Sequence, residues 1–385
     1  MNTTKLFFAL LRSVFSEKEG AEELPPSLDE ETLASLYALT RSHDMVHLAA
    51  YALDKRGFLS NNEPSGKFQK SLMTAMWRYE KMNYEYERIC AALSEDGIAY
   101  IPLKGSVVRQ YYPEPWMRTS CDIDILVHEE ELDSAVCSIA EKLGYTAEEK
   151  RSFHDILLIS QSGIVLELHF NLHEQMDRTD SVLDRVWEHS SPEGGGRSSV
   201  MQSPEFMKLH LLGHMAYHFQ EGGCGIRPFL DLYFLRKSLP CDEEKLNALC
   251  AEAGLLKFRE CAERMVDVWF LGKEHTELTR RIEEYVITGR LFGTKSNQVA
   301  VAQERAGNKV KHTLTRVFMP YRRLCYKYPV LRKYPILTPF YQVKRWCHIL
   351  RTRGWESSAR EFELIREMDE ERLSDVGLML RDMGL

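Results

Sequence analysis

Acidic and apolar residues alternate over one short segment of the chain, Asp122-Ile123-Asp124-Ile125-Leu126-Val127. Side chains along a β-strand point to opposite faces in turn, so the two aspartates share one face and the two isoleucines share the other. Acidic side chains in a half-buried strand need a partner that compensates for their burial. The segment therefore predicts a strand with one apolar face and a candidate site on the other.

A second predicted strand carries Glu167 and His169 on one face and three apolar residues on the other. If it neighbours the first strand in one sheet, the carboxylates of Asp122, Asp124 and Glu167 meet at one spot. Carboxylates that close raise one another's pKa, and a divalent cation removes the repulsion. Mg²⁺ binds carboxylate oxygens together with substrate phosphate oxygens, so the pattern indicates metal-assisted displacement at phosphorus.

A glycine-serine turn, Gly105-Ser106, directly follows the short apolar strand predicted at residues 98–103. Its backbone N–H groups can hold phosphate oxygens if the turn opens a helix. Lys104, just before the turn, has two interpretations. Its ammonium group pairs with substrate phosphates as a point charge, or it is an ordinary surface lysine at the end of a strand.

Arg118 and two histidines also leave alternatives open. Arg118 either holds a phosphate group through two hydrogen bonds or forms a structural pair with Asp122 or Glu114. His169 shares the acidic face of its strand, and His154 belongs to the neighbouring strand. Each histidine orients a carboxylate, contacts the substrate, or is hydrogen-bonded to the backbone.

Together these motifs resemble the signature of the DNA polymerase beta-type nucleotidyltransferase superfamily. A closer resemblance, to an uncharacterised bacterial nucleotidyltransferase family, covers about residues 35 to 350. It rests on Leu103-Lys104-Gly105, Arg118, the Asp-x-Asp strand, Gly144-Tyr145, His154 and Glu167-Leu168-His169-Phe170. The resemblance implies an α+β fold, in which a polymerase beta-like core of a small mixed sheet with helices is flanked by helical N- and C-terminal segments.

The resemblance also implies roles for individual residues. Asp122 and Asp124 match the metal-binding pair, and Glu167 matches the third carboxylate, which acts as general base or as ligand of a second metal ion. Gly105 and Ser106 match the turn that contacts phosphate. The implied cofactor is Mg²⁺ or Mn²⁺.

The implied activity is the Mg²⁺-dependent transfer of a nucleoside monophosphate from a nucleoside triphosphate (NTP) to an acceptor hydroxyl, with release of pyrophosphate. The acceptor stays open, because a small molecule, a protein or an RNA would each fit. The alternative is a non-catalytic nucleotide- or RNA-binding module on the same fold. The complete set of three carboxylates argues against this alternative, since a degenerate site does not need all three.

Hydrophobic spacing and composition divide the chain into five segments. They are an N-terminal helical segment (1–95), the nucleotidyltransferase core (96–190), a helical domain (200–304), a basic aromatic-rich segment (305–355) and an acidic C-terminal helix (356–385). The core is expected to end in a helix over residues 181–190, and residues 191–199 read as a flexible loop.

Three histidines of the helical domain, His210, His214 and His218, recur at every fourth residue on one predicted helix face. They either ligate zinc or form a packed stripe, and the sequence offers no evident fourth ligand. If this domain packs beside the core, His214 and Asp231 line the substrate pocket.

The basic segment contains 13 Lys and Arg residues and no Asp or Glu between residues 305 and 355. The whole chain has a net charge of −7, so the remainder carries −20, which argues against a protein that coats nucleic acid over its entire surface. With its interleaved aromatic residues, the segment contacts nucleic acid, docks on an anionic membrane or acidic partner, or packs against the acidic remainder.

Nine scattered cysteines, none in a Cys-x-x-Cys pair, indicate reduced thiols and predict a cytoplasmic protein. The first apolar run of the chain is too short for a secretory signal. No stretch of 18 uncharged apolar residues occurs, so no transmembrane segment is predicted.

Overall fold

The computed structural model describes residues 2–16, 24–148, 151–193, 198–291, 293–294, 297–298, 301, 318–328, 330–351 and 370–385. The chain divides into two compact units. The first consists of residues 1–217 and 225–280 with residue 384, and the second of residues 218–224 and 281–383 with residue 385. The residues predicted for the nucleotidyltransferase site all belong to the first unit, whereas His218 of the zinc interpretation belongs to the second.

The first unit contains a five-stranded mixed sheet with the strand order β1-β2-β5-β4-β3. Its strands are β1 Tyr100–Pro102, β2 Asp122–Val127, β3 Thr146–Ala147, β4 Asp155–Ile159 and β5 Val165–His169. β2 and β5 run parallel, and the other neighbouring strands are antiparallel. The register pairs Asp124 with Glu167, which confirms that the two acidic strands are neighbours.

Helices account for most of the other described residues up to residue 289. They are α1 Thr3–Phe15, α2 Glu30–Ser42, α3 Val46–Lys55, α4 Glu63–Glu95, α5 Lys104–Val108, α6 Leu132–Leu143, α7 Asp177–Leu183, α8 Pro204–Gln220, α9 Arg227–Ser238, α10 Glu243–Ala253, α11 Leu256–Leu271 and α12 Glu277–Gly289. Two short 3₁₀ turns, Arg109–Tyr111 and Pro115–Met117, lie between α5 and β2. The predicted α+β fold with a small mixed sheet is confirmed.

Local sequence explains how the helices next to the sheet begin and end. The Asn62 side chain caps α4 by accepting a hydrogen bond from the Ser65 N–H, and Pro64 occupies the first turn, where its missing N–H is not needed. α6 ends at Gly144, which has a left-handed φ of 71°. A residue with this left-handed conformation at the end of a helix is usually glycine, which has no Cβ atom to oppose it.

The sheet packs on α4 and α6 through its apolar face. Ile123 and Ile125 of β2 lie in one buried cluster with Ile89 of α4 and Ile139 of α6. Each side chain of this kind contributes about 1.5–3 kcal/mol when it is fully buried. Because successive residues of a strand point to opposite faces, the two aspartates of β2 lie on the face away from this core.

The structure corrects the prediction of a helix over residues 181–190 and a loop over 191–199. α7 ends at Leu183, and a strand β6 Ser190–Pro192 pairs with a strand β7 Val200–Gln202. The reason is a tertiary contact, because the Tyr100 N–H of β1 donates to the Ser198 carbonyl and thereby ties this hairpin to the main sheet. Residues 194–197 of the predicted loop lie outside the described residues.

In the second unit, the described helices after α12 are Tyr321–Lys327, Val330–Lys333, Thr338–Arg351 and Glu370–Met383. Residues 305–317, 329 and 352–355 of the basic segment lie outside the described residues, as do residues 356–369 of the predicted C-terminal helix. Within the described part of the chain, no helix has both the length and the apolar character needed to cross a membrane.

Candidate active site

Three side chains converge on the acidic face of the sheet: Asp124 from β2, and Glu167 and His169 from β5. Each offers one ligand atom, and these atoms all lie within 4.8 Å of one another. His169 Nε2 is 3.1 Å from Asp124 Oδ1 and 3.5 Å from Glu167 Oε2. Two carboxylates and an imidazole are donors that divalent cations accept, so these residues could hold a metal ion.

The charges on this face show why a cation belongs there. Asp124 is buried, and its Oδ1 also accepts a hydrogen bond from Lys104 Nζ at 3.1 Å. Burial acts to raise the pKa of Asp124, but Lys104 and His169 outweigh it and hold that pKa well below its usual range. Burial lowers the pKa of His169, but its hydrogen bonds to Asp124 and Glu167 outweigh this and raise it. The two carboxylates therefore attract either a proton on His169 or a metal ion.

Asp122 lies on the same face but outside this group of ligand atoms. The predicted set of three carboxylates is thus present around the site, with His169 rather than Asp122 at ligand distance from Asp124 and Glu167. Burial, Asp124 and Glu167, in that order, raise the pKa of Asp122 to about 6. Its ionised form is therefore disfavoured in the folded protein.

The raised pKa predicts that Asp122→Asn stabilises the metal-free protein at neutral pH. The folded protein binds the Asp122 proton more tightly than the unfolded chain does, so wild-type stability falls as the pH rises from about 4 to about 6. Urea unfolding in EDTA should show Asp122→Asn more stable than wild type at pH 7, by on the order of 1 kcal/mol, and little different at pH 4. The exposed Asp54→Asn of α3 is the matched control, and an equal effect of Asp122→Asn at both pH values would contradict the prediction.

Lys104 is not a surface lysine. Its side chain is only 19% exposed. Burial lowers its pKa, but Asp124, Glu174 and Glu167 together outweigh burial and raise it, so the ammonium group stays charged. Lys104 also has a φ of 41°, a left-handed conformation that non-glycine residues adopt at a cost of about 1–3 kcal/mol. Such strain is common at functional sites.

The Gly105-Ser106 turn opens the short helix α5, as the phosphate-binding interpretation requires. A Cβ atom at Gly105 would lie 2.9 Å from Arg118 Nη1 and 3.1 Å from Ser120 Cβ, so a larger residue here requires these side chains to move. The Ser106 N–H donates to the Leu103 carbonyl, while the buried Ser106 Oγ has no hydrogen-bond partner among the described residues. The Ser106 hydroxyl is therefore available for a ligand.

The close approach at Gly105 predicts that Gly105→Ala lowers the free energy of unfolding by about 1–3 kcal/mol, because Arg118 and Ser120 must move. Chemical denaturation measures this change. Gly66→Ala in α4 is the control, since no atom lies within 4 Å of the position that its methyl group would occupy. We expect that control to raise stability by about 0.5–1 kcal/mol. Equal effects of the two substitutions would show that the turn is not closely packed.

Arg118 forms a structural pair, but with neither of the partners expected from the sequence. Its Nε and Nη2 donate to Asp231 Oδ1 and Oδ2 at 3.2 and 2.9 Å. Asp231 is completely buried and also accepts a hydrogen bond from Tyr112 Oη at 2.6 Å. Asp231 is therefore committed to Arg118 and Tyr112, rather than free in a substrate pocket.

The remaining predicted histidines lie around the metal-ligand group. The His154 ring stacks on His169 with centroids 5.3 Å apart, and burial, followed by the charge of His169, lowers the pKa of His154 to about 4. His214 Nδ1 is 2.7 Å from Glu174 Oε1. Burial and the charge of Lys104 lower the pKa of His214 well below its usual range, so the neutral ring donates this hydrogen bond.

Two functional neighbours were missed from the sequence. Glu174 acts on the pKa of Lys104 and is bonded to His214, but it follows β5 in an irregular segment with no recognisable pattern. Arg109 is buried, and it donates to the Gly105 carbonyl at 2.7 Å and to Ser120 Oγ at 3.0 Å, which supports the turn. Arg109 directly follows α5 and belongs to no recognisable motif, so the sequence does not predict its role in supporting the turn.

The zinc interpretation of the three helix histidines gains no support from the described residues. His210, His214 and His218 do not form a group of potential metal ligands within that part of the chain. Burial lowers the pKa of His210 to about 3, which agrees with a neutral ring packed in the protein.

Comparison with known proteins gives one family match and a structural similarity. A family model described as an uncharacterised nucleotidyltransferase matches residues 29–271. A crystal structure of an antigenic nucleotidyltransferase-like protein from Paracoccidioides brasiliensis is similar at 14% sequence identity and a TM-score of 0.32, covering 52% of this chain and 96% of that chain. No curated protein matches the chain.

Proposed function

The chain belongs to the family of uncharacterised nucleotidyltransferases, and from this membership we propose that it transfers a nucleoside monophosphate from an NTP to an acceptor hydroxyl. The observation that carries the proposal is the convergence of Asp124, Glu167 and His169, with ligand atoms within 4.8 Å of one another, beside a buried charged lysine. The cofactor we propose is Mg²⁺ or Mn²⁺, because both bind carboxylate oxygens.

A divalent cation bound to these residues would stabilise the negative charge that develops on the phosphate oxygens in the transition state. Glu167, the more exposed of the two clustered carboxylates, accepts the proton of the attacking hydroxyl. The new bond joins the acceptor oxygen to the α-phosphorus, and the bond from that phosphorus to the bridging oxygen breaks. Pyrophosphate leaves with the electron pair of the broken bond.

We propose that Lys104 and Ser106 hold the phosphates. Lys104 Nζ is bonded to Asp124, so a metal ion on Asp124 would compensate that carboxylate and leave the ammonium group to pair with phosphate oxygens. The unpartnered Ser106 hydroxyl offers a further donor. Arg118 contributes indirectly, because it is held by Asp231 and packs against Gly105.

A thermal-shift panel tests the proposal. ATP, GTP, CTP and UTP are added with Mg²⁺, Mn²⁺ or EDTA to wild type and Asp124→Asn. A nucleotide at about 100 times its dissociation constant adds about 2.7 kcal/mol of stability. We expect at least one NTP to stabilise wild type only with a divalent cation, and Asp124→Asn to lose the effect. No metal-dependent shift with any NTP would contradict the proposal.

Turnover separates the enzyme from a binding module on the same fold. The NTP that stabilises the protein is incubated with it and with candidate acceptors, and pyrophosphate release is measured. Pyrophosphate release that Glu167→Gln abolishes supports nucleotidyl transfer. Slow release is sufficient, because water can accept the nucleotidyl group when no better acceptor is present. Stabilisation by the NTP without release under any acceptor would favour the non-catalytic alternative.

A further inference from the structure

A cavity of about 470 Å³ lies in the first unit, lined by residues of α2, of α4, of the start of α3 and by Thr119. Among the residues that the structure describes, the charged lining is strongly one-sided, with four cationic side chains and one carboxylate. The cations are Arg41, Lys67, Lys70 and Arg78, and the carboxylate is that of Asp44. The size is within the range of small-molecule sites and far too small for a folded partner.

The single carboxylate of the cavity does not balance these cations. Asp44 is already bonded to Arg227 and accepts a hydrogen bond from Thr119 Oγ1 at 3.2 Å. His47 also lines the cavity, and burial lowers its pKa to about 4. Its neutral ring therefore does not change the charge of the cavity. The Asp44 carboxylate is thus already paired with Arg227 and hydrogen-bonded to Thr119, and does not neutralise the four cations.

The cations themselves are largely unpaired. Lys67 forms an exposed pair with Glu63 at 2.8 Å. The side chains of Arg41, Lys70 and Arg78 make no hydrogen bond or ion pair with any other residue in the described ranges. Convergent unpaired cations in a concave site focus a positive potential and attract multiply charged anions, most effectively phosphate groups that arginine holds through two hydrogen bonds.

The cavity is also close to the candidate active site. Thr119, which forms part of its wall, is three residues before Asp122, so their Cα atoms are at most about 11 Å apart. A ligand anchored by a phosphate in the cavity would have to span at most a comparable distance to bring a hydroxyl to Asp122.

We propose that this cavity binds the phosphate or diphosphate group of a small-molecule acceptor, which makes the acceptor a phosphorylated alcohol. The assignment rests on the proposed function, since only a nucleotidyltransferase has an acceptor. The charge pattern of the cavity, its volume and its distance from Asp122 carry it. In the proposed function the NTP phosphates bind at Lys104 and Ser106, which precede Arg118 in the chain. The cavity is a separate site, and its wall residue Thr119 follows Arg118.

The test uses pyrophosphate as the probe in EDTA, with isothermal titration calorimetry of the full chain. Wild type should bind pyrophosphate without a metal ion. The double variant Arg41→Gln/Arg78→Gln should weaken binding at least about tenfold, while the exposed-lysine control Lys55→Gln should bind as wild type. Lys70→Gln, at an exposed position of α4, should weaken pyrophosphate binding several-fold. This single variant provides the test if the double variant does not fold.

The outcomes separate this assignment from the proposed function. Failure of wild type to bind pyrophosphate in EDTA, or undiminished binding by both cavity variants, overturns the assignment whatever the NTP experiments show. If the double variant also loses metal-dependent NTP binding, the cavity holds the donor and the acceptor assignment is wrong. If pyrophosphate binds in the cavity but no NTP is turned over, the proposed function fails instead.

An independent observation in the second unit concerns an exposed apolar ridge, formed by Ile336, Phe340 and Val343. These side chains are 86%, 63% and 51% exposed, respectively. Phe340 and Val343, three residues apart, lie on one side of the helix Thr338–Arg351, and Ile336 belongs to the 3₁₀ turn Pro335–Leu337 directly before that helix. Lys333 and Lys344 flank the ridge in sequence.

The chemistry of this ridge favours a lipid surface. Residues 305–355 contain no acidic residue, so the ridge is complementary to a negatively charged partner. Ile336 and Val343 have no ring on which a nucleic-acid base could stack, whereas a bilayer interface accepts aliphatic and aromatic side chains together with flanking lysines. We infer that the ridge docks the protein on an anionic membrane surface.

Vesicle co-sedimentation tests this second inference, with phosphatidylcholine vesicles prepared with and without phosphatidylglycerol. Wild type should bind only the anionic vesicles, and Ile336→Glu/Phe340→Glu should lower the bound fraction at least about tenfold. Met73→Glu, which changes an equally exposed side chain of α4, is the matched control. The inference is overturned if wild type does not bind anionic vesicles. It is also overturned if wild type binds a single-stranded RNA and Ile336→Glu/Phe340→Glu, but not Met73→Glu, abolishes that RNA binding.

Discussion

Replacing Glu167 with Gln should lower the rate of nucleotidyl transfer by at least about 1000-fold, which corresponds to about 4 kcal/mol of transition-state stabilisation. Glutamine has the shape of glutamate, but it neither accepts the acceptor's proton nor offers a full negative charge to a metal ion. Glu167 is 26% exposed, and its side chain contacts His169 at 3.5 Å. The free energy of unfolding should therefore change by less than about 1 kcal/mol.

Pyrophosphate release and urea denaturation, measured on the same preparation, check both halves of this prediction. Glu260→Gln, at an exposed position of α11, is the matched control and should behave as wild type. Asp124→Asn should also lose activity, but it leaves Lys104 buried without its partner and should be less stable by about 3–5 kcal/mol. If Glu167→Gln retains wild-type activity, Glu167 has no role in the chemistry.

Asp231→Asn should lower the free energy of unfolding by about 3–5 kcal/mol, because it removes the charge partner of a buried arginine. Asp231 is completely buried, and it accepts two hydrogen bonds from Arg118 and one from Tyr112. Burial lowers the pKa of Arg118, but Asp231 more than compensates and raises it, so the guanidinium group stays charged and loses its counter-ion in the variant.

Urea unfolding followed by circular dichroism measures this loss, and the midpoint should fall while the slope stays unchanged. Asp242→Asn is the control, since Asp242 is an exposed N-cap of α10 and Asn caps helices equally well. A loss below about 1 kcal/mol for Asp231→Asn would mean that the pair contributes little to stability.

The strands that carry the acidic site could be predicted because their pattern is local. Alternation in β2 places Ile123 in the core and Asp124 on the opposite face, whatever the neighbouring elements are. The same reasoning places Glu167 and His169 together in β5. That these strands are neighbours was a hypothesis, and the parallel register of Asp124 with Glu167 confirmed it.

The polar partners around the site could not be predicted in the same way. Arg118 pairs with Asp231, 113 residues further along the chain, although Asp122 and Glu114 are much nearer in sequence. Glu174 pairs with His214 across 40 residues. A charged side chain has many possible partners of opposite sign, and the sequence alone does not rank them.

The sequence by itself determined the acidic face of the sheet and the residues on it, because strand periodicity depends on backbone geometry within a few residues. Its resemblance to a known family implied the α+β fold class. The tertiary structure alone decided that His169 joins Asp124 and Glu167, that Lys104 is buried, that Arg118 is held by Asp231, and that residues of α2 and α4 enclose a cationic cavity. These contacts join residues far apart in the chain, and their free energy depends on burial and distance, which only the packed structure sets.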